Sequence, residues 1–149
     1  MSTAKWVRLT TRTGPIAPGA TKQYKFLCTQ FGTSWYHSHF SAQYGDGIVG
    51  TIVINGPATA NYDIDLGPVA LTDWYYKTAF ELNALAMQSA RGPPLPDNVL
   101  VNGKMVNANG DGEYYRMTVQ KGKKYRLRLI NTSVDTYFHV SLVSWDACI

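Results

Sequence analysis

The run Ile48-Val49-Gly50-Thr51-Ile52-Val53-Ile54, cut off by Asn55-Gly56-Pro57, leaves this chain little choice of local structure. Branching at Cβ restricts χ1 and suits a pleated strand better than a helix. Asn-Gly followed by proline is a turn signal that stops a ladder. Comparable short runs recur at residues 23–28, 32–40, 68–76, 99–103, 114–119, 124–130 and 138–143. Strands of about 4–8 residues divided by turns predict an all-β protein, an antiparallel sandwich. Over residues 124–130, Tyr125, Leu127 and Leu129 alternate with Arg126 and Arg128. That is the pattern of a half-buried strand with its cations in water. The turn at 120–123 joins it to 114–119 as a predicted hairpin. One helix is expected: Thr78-Ala79-Phe80-Glu81 has capping-box spacing, Leu82, Leu85 and Ala86 follow at helical intervals, and Arg91-Gly92-Pro93-Pro94 ends it.

The 149 residues are 45% apolar and 16% charged, which suits a packed core and excludes a disordered polyelectrolyte. No stretch of about 18 consecutive apolar residues occurs, so no membrane-spanning helix is expected. Residues 1–7 hold no apolar signal region, which points to a cytoplasmic chain or a natural start further upstream. The net charge of +4 resides wholly in residues 1–60, on Lys5, Arg8, Arg12, Lys22 and Lys25 against Asp46. These cations are too sparse for a nucleic-acid arm. Arg116, Lys121, Lys123, Lys124, Arg126 and Arg128 are balanced by acids in their half and read as the solvated face of the hairpin. No nucleic-acid or membrane partner is expected. Cys28 and Cys148 stand outside any CxxC pair and either bond to each other or act as small hydrophobes. Residues 56–61 read as a linker between two portions, each shorter than the ~100 residues of a full sandwich.

Trp35-Tyr36-His37-Ser38-His39 carries the clearest chemistry. On a strand, His37 and His39 share a face with Cα atoms roughly 6.5–7 Å apart. Two imidazoles so placed can bind neighbouring metal ions or share one, and copper binds imidazole most tightly of the common divalent ions. The pair serves equally as a structural feature, and two ligands do not complete a site. The third histidine, His139, lies between Phe138 and Val140 and reads as a packed, hydrogen-bonded side chain. Gly45-Asp46-Gly47-Ile48-Val49-Gly50 has dinucleotide-loop spacing, but a strand follows it where that motif needs a helix, so it reads as a tight turn. Asp63 and Asp65 read as solvated linker carboxylates rather than a metal pair. Asn131-Thr132-Ser133 is a glycosylation sequon, meaningful in a secreted chain.

The stretch Gly32-Thr33-Ser34-Trp35-Tyr36-His37-Ser38-His39-Phe40-Ser41-Ala42-Gln43-Tyr44-Gly45-Asp46-Gly47-Ile48-Val49-Gly50 resembles the second copper-binding signature of multicopper oxidases, in particular fungal laccases of the ascomycete type. Tyr62-Asp63-Ile64-Asp65-Leu66-Gly67, Leu71-Thr72-Asp73-Trp74-Tyr75-Tyr76 and residues 121–135 resemble the same family. The resemblance implies a cupredoxin-like Greek-key β-sandwich, with residues 1–59 ending a first such domain and 60–149 beginning a second. It implies copper as cofactor, with His37 and His39 as metal ligands, one for each type 3 copper of a trinuclear cluster. It also implies a phenolic substrate, dioxygen as oxidant, and an extracellular location. The family's His-Trp-His-Gly, His-x-x-His and His-Cys-His signatures do not occur here, and neither cysteine has the flanking histidines of a type 1 copper ligand. The expectation is a laccase-type segment, inactive as an isolated chain, that missing domains or another chain would complete. A non-catalytic copper-binding β-module and an inert truncated product are the alternatives; within the family, a ferroxidase or an ascorbate oxidase is the other reading.

Overall fold

The computed structural model of the chain describes residues 16–90 and 92–143. Among these residues, five strands form two open sheets, accompanied by one α-helix. Strands β1 (Gly32–His37) and β2 (Val49–Ile54) are an antiparallel pair, joined through a short 3-10 turn at Gln43–Asp46. Strand β3 (Ile64–Trp74) lies at the centre of the second sheet, with β4 (Asn98–Val101) antiparallel on one side and β5 (Tyr125–Asn131) parallel on the other. Helix α1 (Ala79–Gln88) follows β3 and has the expected capping box: Thr78 Oγ1 accepts the Glu81 N–H, and the Glu81 carboxylate accepts the Thr78 N–H at 3.0 Å. No helix among the described residues is long and apolar enough to cross a membrane.

The predicted all-β architecture holds, but several details of pairing do not. The expected hairpin of 114–119 with 124–130 is absent; β5 pairs with β3 instead, and in parallel. A parallel pair needs a long crossover, here the segment that holds α1 and β4. Residues 23–28 and 138–143 form no ladder. Their apolar side chains stand in the open, Phe26 at 72%, Leu27 at 86% and Leu142 at 80% exposure. An extended segment becomes a strand only by pairing with a sheet edge, and neither of these does so. Cys28 is exposed rather than a buried hydrophobe, and Cys148 lies outside the described residues.

Over its second half, the facing of β5 is reversed from its sequence pattern. Arg128 and Ile130 are buried, whereas Leu129 is 49% exposed. The cause is Asp65. Strand β3 begins earlier than the apolar run suggests, so Asp65 belongs to the sheet and not to a solvated linker. Its carboxylate receives the Arg128 guanidinium, with Nε at 2.9 Å and Nη2 at 2.5 Å from Oδ2. Arg128 Nη1 also donates to Thr33 Oγ1 of β1 at 3.0 Å, which ties the two sheets together. The register of β3 against β5 slips between Asp65 and Pro68, where Gly67 takes a φ of 78° and donates its N–H to Asp65 Oδ1 at 2.9 Å. Asp63 is also engaged, accepting the Lys124 N–H at 2.8 Å.

The interior is small and largely polar. Among the described residues, the buried apolar side chains are Val69 and Ile130, beside buried Asp73, Arg128 and Thr132. Asp73, near the end of β3, is fully enclosed at 0% exposure. Its Oδ1 accepts the N–H of Val134 at 2.9 Å, and its Oδ2 accepts those of Asp135 and Thr136, each at 3.1 Å. Ser133 Oγ accepts the Asp73 N–H at 2.9 Å. One carboxylate thus fixes the turn that follows β5.

Asp73→Ala leaves these three N–H groups without their acceptor. Hydrogen bonds to a charged group are worth about 1.5–3 kcal/mol, and the variant is expected to lose stability on that order, read as a lower urea midpoint. The hydrogen bonds and charge of Arg128 hold the Asp65 carboxyl below its ordinary value of 3.8. The stability this gives is whole above that pH and is lost as pH falls through the depressed value. Thermal melts on acidification are expected to show this loss, and Asp65→Asn to lack that component.

Candidate metal centre

His37 is the last residue of β1, opposite Val49 of β2. The preceding pair is Tyr36 and Gly50, and a Cβ at Gly50 would run into the Tyr36 ring. Glycine there lets the ring lie flat across the partner strand. One more backbone bond, Ser38 N–H to the Ile48 carbonyl at 2.9 Å, prolongs the pairing. Then the chain turns away. The Ser38 hydroxyl donates to Gln43 Oε1 at 2.6 Å and accepts the Phe40 N–H at 3.2 Å, and Ser41 adopts a left-handed φ of 50°.

His39 therefore lies beyond the strand, not on it as the alternation predicts. The two imidazoles still stand side by side, with centroids 6.0 Å apart and planes 25° from parallel. Both residues are exposed. His37 is the more constrained. Its Nδ1 donates to the Ser38 carbonyl at 2.9 Å, which leaves the lone pair on Nε2. The indole of Trp35 lies 4.5 Å away and the Tyr44 ring 4.9 Å away. These two walls hold the imidazole plane.

The donor set, two imidazoles, fits copper in kind. An ion bound to two imidazoles at about 2.0–2.1 Å needs their nitrogens within ~4 Å of each other. The two rings are nearly parallel with centroids 6.0 Å apart, an arrangement open to one shared ion or to one ligand for each of two neighbouring ions. The backbone acceptor on Nδ1 is the usual orienting partner of a metal-binding histidine. Among the described residues, no group of three or more His, Cys, Asp or Glu side chains converges on a further site. His139 is exposed rather than packed, with its ring edge-on to Tyr137 at 5.7 Å.

Sequence reasoning missed the residues behind the pair. Gly45 and Asp46 were read as a tight turn, which they form, yet both also make distant contacts. A Cβ at Gly45 would sit 3.0 Å from both Ala79 Cβ and Val134 Cγ2. Asp46 Oδ1 accepts the Ala79 N–H at 2.8 Å. Tyr44 and Tyr75 line a cavity of about 350 Å³ between the 3-10 turn, α1 and Asp135. Burial, and then the Asp73 charge, push the Tyr75 hydroxyl up to about 12.

Two multicopper oxidase family models match the chain, over residues 9–59 and 65–144. Laccase-3 of Botryotinia fuckeliana is 60% identical over 130 residues, which is 86% of this chain and 29% of that protein. A laccase of Neurospora crassa is 59% identical over 132 residues, 87% of this chain and 21% of that protein. Among solved structures, the laccase from Botrytis aclada superposes with a TM-score of 0.69 at 47% identity, covering 81% of this chain and 24% of that one. Fet3p, a multicopper oxidase that functions in iron import, gives a TM-score of 0.58 at 31% identity, over 70% of this chain and 19% of that one. The chain thus spans less than a third of the length of these relatives. Its fold is all-β and cupredoxin-like, as the sequence leads one to expect.

An alkaline ultraviolet titration is expected to show a late tyrosine component near pH 12 that Tyr75→Phe removes. The raised value disfavours the phenolate in the folded chain, so stability falls as pH rises from 10 toward 12.

Proposed function

Because this chain belongs to the multicopper oxidase family, whose cofactor is copper, we propose that it is the His37–His39 segment of a laccase-type oxidase. Such an enzyme removes electrons from phenols or aromatic amines and reduces dioxygen to water. The observation that carries the reading is the pair of adjacent imidazoles, with the His37 proton held on Nδ1. His37 and His39 each serve one of two neighbouring coppers, the type 3 pair. The two family-model matches on either side of residues 60–64 support a division at that point. Residues 1–59 end one cupredoxin-like domain, and 60–149 begin the next. The proposed location is extracellular, as for a secreted laccase.

Bound copper would supply the reversible one-electron chemistry that links phenol oxidation to dioxygen reduction. The protein's part in this segment is orientation. The β1–β2 ladder fixes where the His37 backbone ends, the Ser38 carbonyl keeps the ring proton away from Nε2, and Trp35 with Tyr44 restrains the ring plane. The other ligands come from outside the described residues, in further domains or another chain. The exposure of both histidines favours a second reading, a copper-binding module that exchanges metal and does no oxygen chemistry.

Copper retained after dialysis against a mild chelator separates these readings, measured beside a His37→Ala/His39→Ala control. For a segment awaiting its other ligands, the chain alone is expected to take up Cu²⁺ reversibly, lose it to the chelator and consume no oxygen with a phenol. Equal uptake by the control would remove the pair from consideration as ligands. Two or more retained coppers per chain, with oxygen uptake and loss of both in the control, would show that copies assemble to complete the centre. Exchangeable copper that stays without oxygen chemistry after the remaining family domains are supplied would favour the module.

A further inference from the structure

The 3-10 turn Gln43–Asp46 supplies two of the groups that set the histidine pair. The Tyr44 ring faces His37 at 4.9 Å, and Gln43 Oε1 accepts the Ser38 hydroxyl at 2.6 Å. The turn has four residues and buries none of them, so its own backbone bonds do not fix its place. Its anchorage comes from its last residue. Asp46 Oδ1 accepts the N–H of Ala79, the first residue of α1 and 33 positions away, at 2.8 Å. The first amides of a helix have no acceptor within it. Thr78 serves Glu81, and Asp46 serves Ala79. A carboxylate there also meets the positive end of the helix dipole. Beside it, Gly45 approaches Ala79 and Val134 so closely that an added Cβ would sit 3.0 Å from a side-chain carbon of each, tighter than ordinary packing. Val134 is itself held by the Asp73 carboxylate. The turn is therefore clamped between α1 and the segment that Asp73 fixes.

We propose that Asp46 is a positioning residue of the His37–His39 centre. By accepting the Ala79 amide it holds Tyr44 against the His37 imidazole and Gln43 against Ser38, and so sets the ring orientation in which the pair meets copper. The proposal rests on the reading of the pair as copper ligands, but its first consequence is visible without metal.

The test compares Asp46→Ala, Asp46→Asn and Thr78→Ala in the full chain by NMR. Thr78→Ala weakens the same helix end, by about 1 kcal/mol for a lost cap, and leaves the 3-10 turn alone. The first readout is the nuclear Overhauser contact between the His37 and Tyr44 rings in metal-free protein. The second is the Cu²⁺ concentration that broadens the His37 and His39 ring protons. Asp46→Ala is expected to lose the ring contact and to need about tenfold more Cu²⁺, the lower end of the cost of losing an orienting partner. Asp46→Asn keeps an acceptor oxygen and is expected to recover both readouts. Thr78→Ala is expected to melt earlier with both intact. Should alanine unfold the chain, Asp46→Ser repeats the comparison with a polar side chain too short to span the gap. A ring contact that survives the loss of Asp46, or that Thr78→Ala abolishes equally, overturns the proposal. A wild-type chain that shows the ring contact but no broadening by Cu²⁺ sinks the copper reading instead, and the ring contact alone then decides the role of Asp46.

Discussion

A carboxylate sealed from water needs hydrogen-bond donors, and Asp73 finds them in three successive amides of the turn after β5. That demand orders much of what surrounds it. It fixes the end of β3 against the exit of β5, so the parallel pair cannot splay. It sets Val134, against which Gly45 packs, and through Gly45 it bears on the turn beside the histidines. Van der Waals packing contributes little here, because few apolar side chains among the described residues are buried. Directional polar bonds have taken over the task of specifying the arrangement.

Arg128 performs a similar task between the sheets. Its guanidinium spans Asp65 on β3 and Thr33 on β1, and three donor nitrogens in a rigid fork suit such bridging better than a lysine ammonium would. The strand that ends at His37 is thereby referenced to the second sheet through a polar contact. The histidine segment belongs to one proposed domain, and the Asp65–Arg128 and Asp73 anchors belong to the other. Its geometry is consequently a property of both portions together.

The sequence made the local features legible. The β-branched run of β2 and the capping box of α1 each depend on neighbours a few residues away, and each forms the element its pattern predicts. The facing of β5 was not legible, because alternation alone assigns Leu129 inward, whereas the decisive partner of Arg128 lies 63 positions off at Asp65. The missing hairpin has the same origin: a turn signal at 120–123 allows local pairing, but the edge of β3 offers a better partner. His39 was placed on a strand that ends at His37, since nothing in the alternation reveals that Ser38 and Gln43 bond to each other. Asp46 lay inside a motif whose spacing drew attention to its glycines.

The ties that frame the histidines all close long stretches of chain: 33 residues from Asp46 to Ala79, 61 from Asp73 to Val134 and 95 from Thr33 to Arg128. Closing such loops costs entropy before any contact repays it, and folds dominated by distant contacts form slowly. During synthesis the β1–β2 pair and α1 emerge early and can form from nearby residues. The amides that Asp73 collects are made later, at residues 134–136. Until that turn has left the ribosome, both histidines exist on a hairpin whose supporting frame has yet to close.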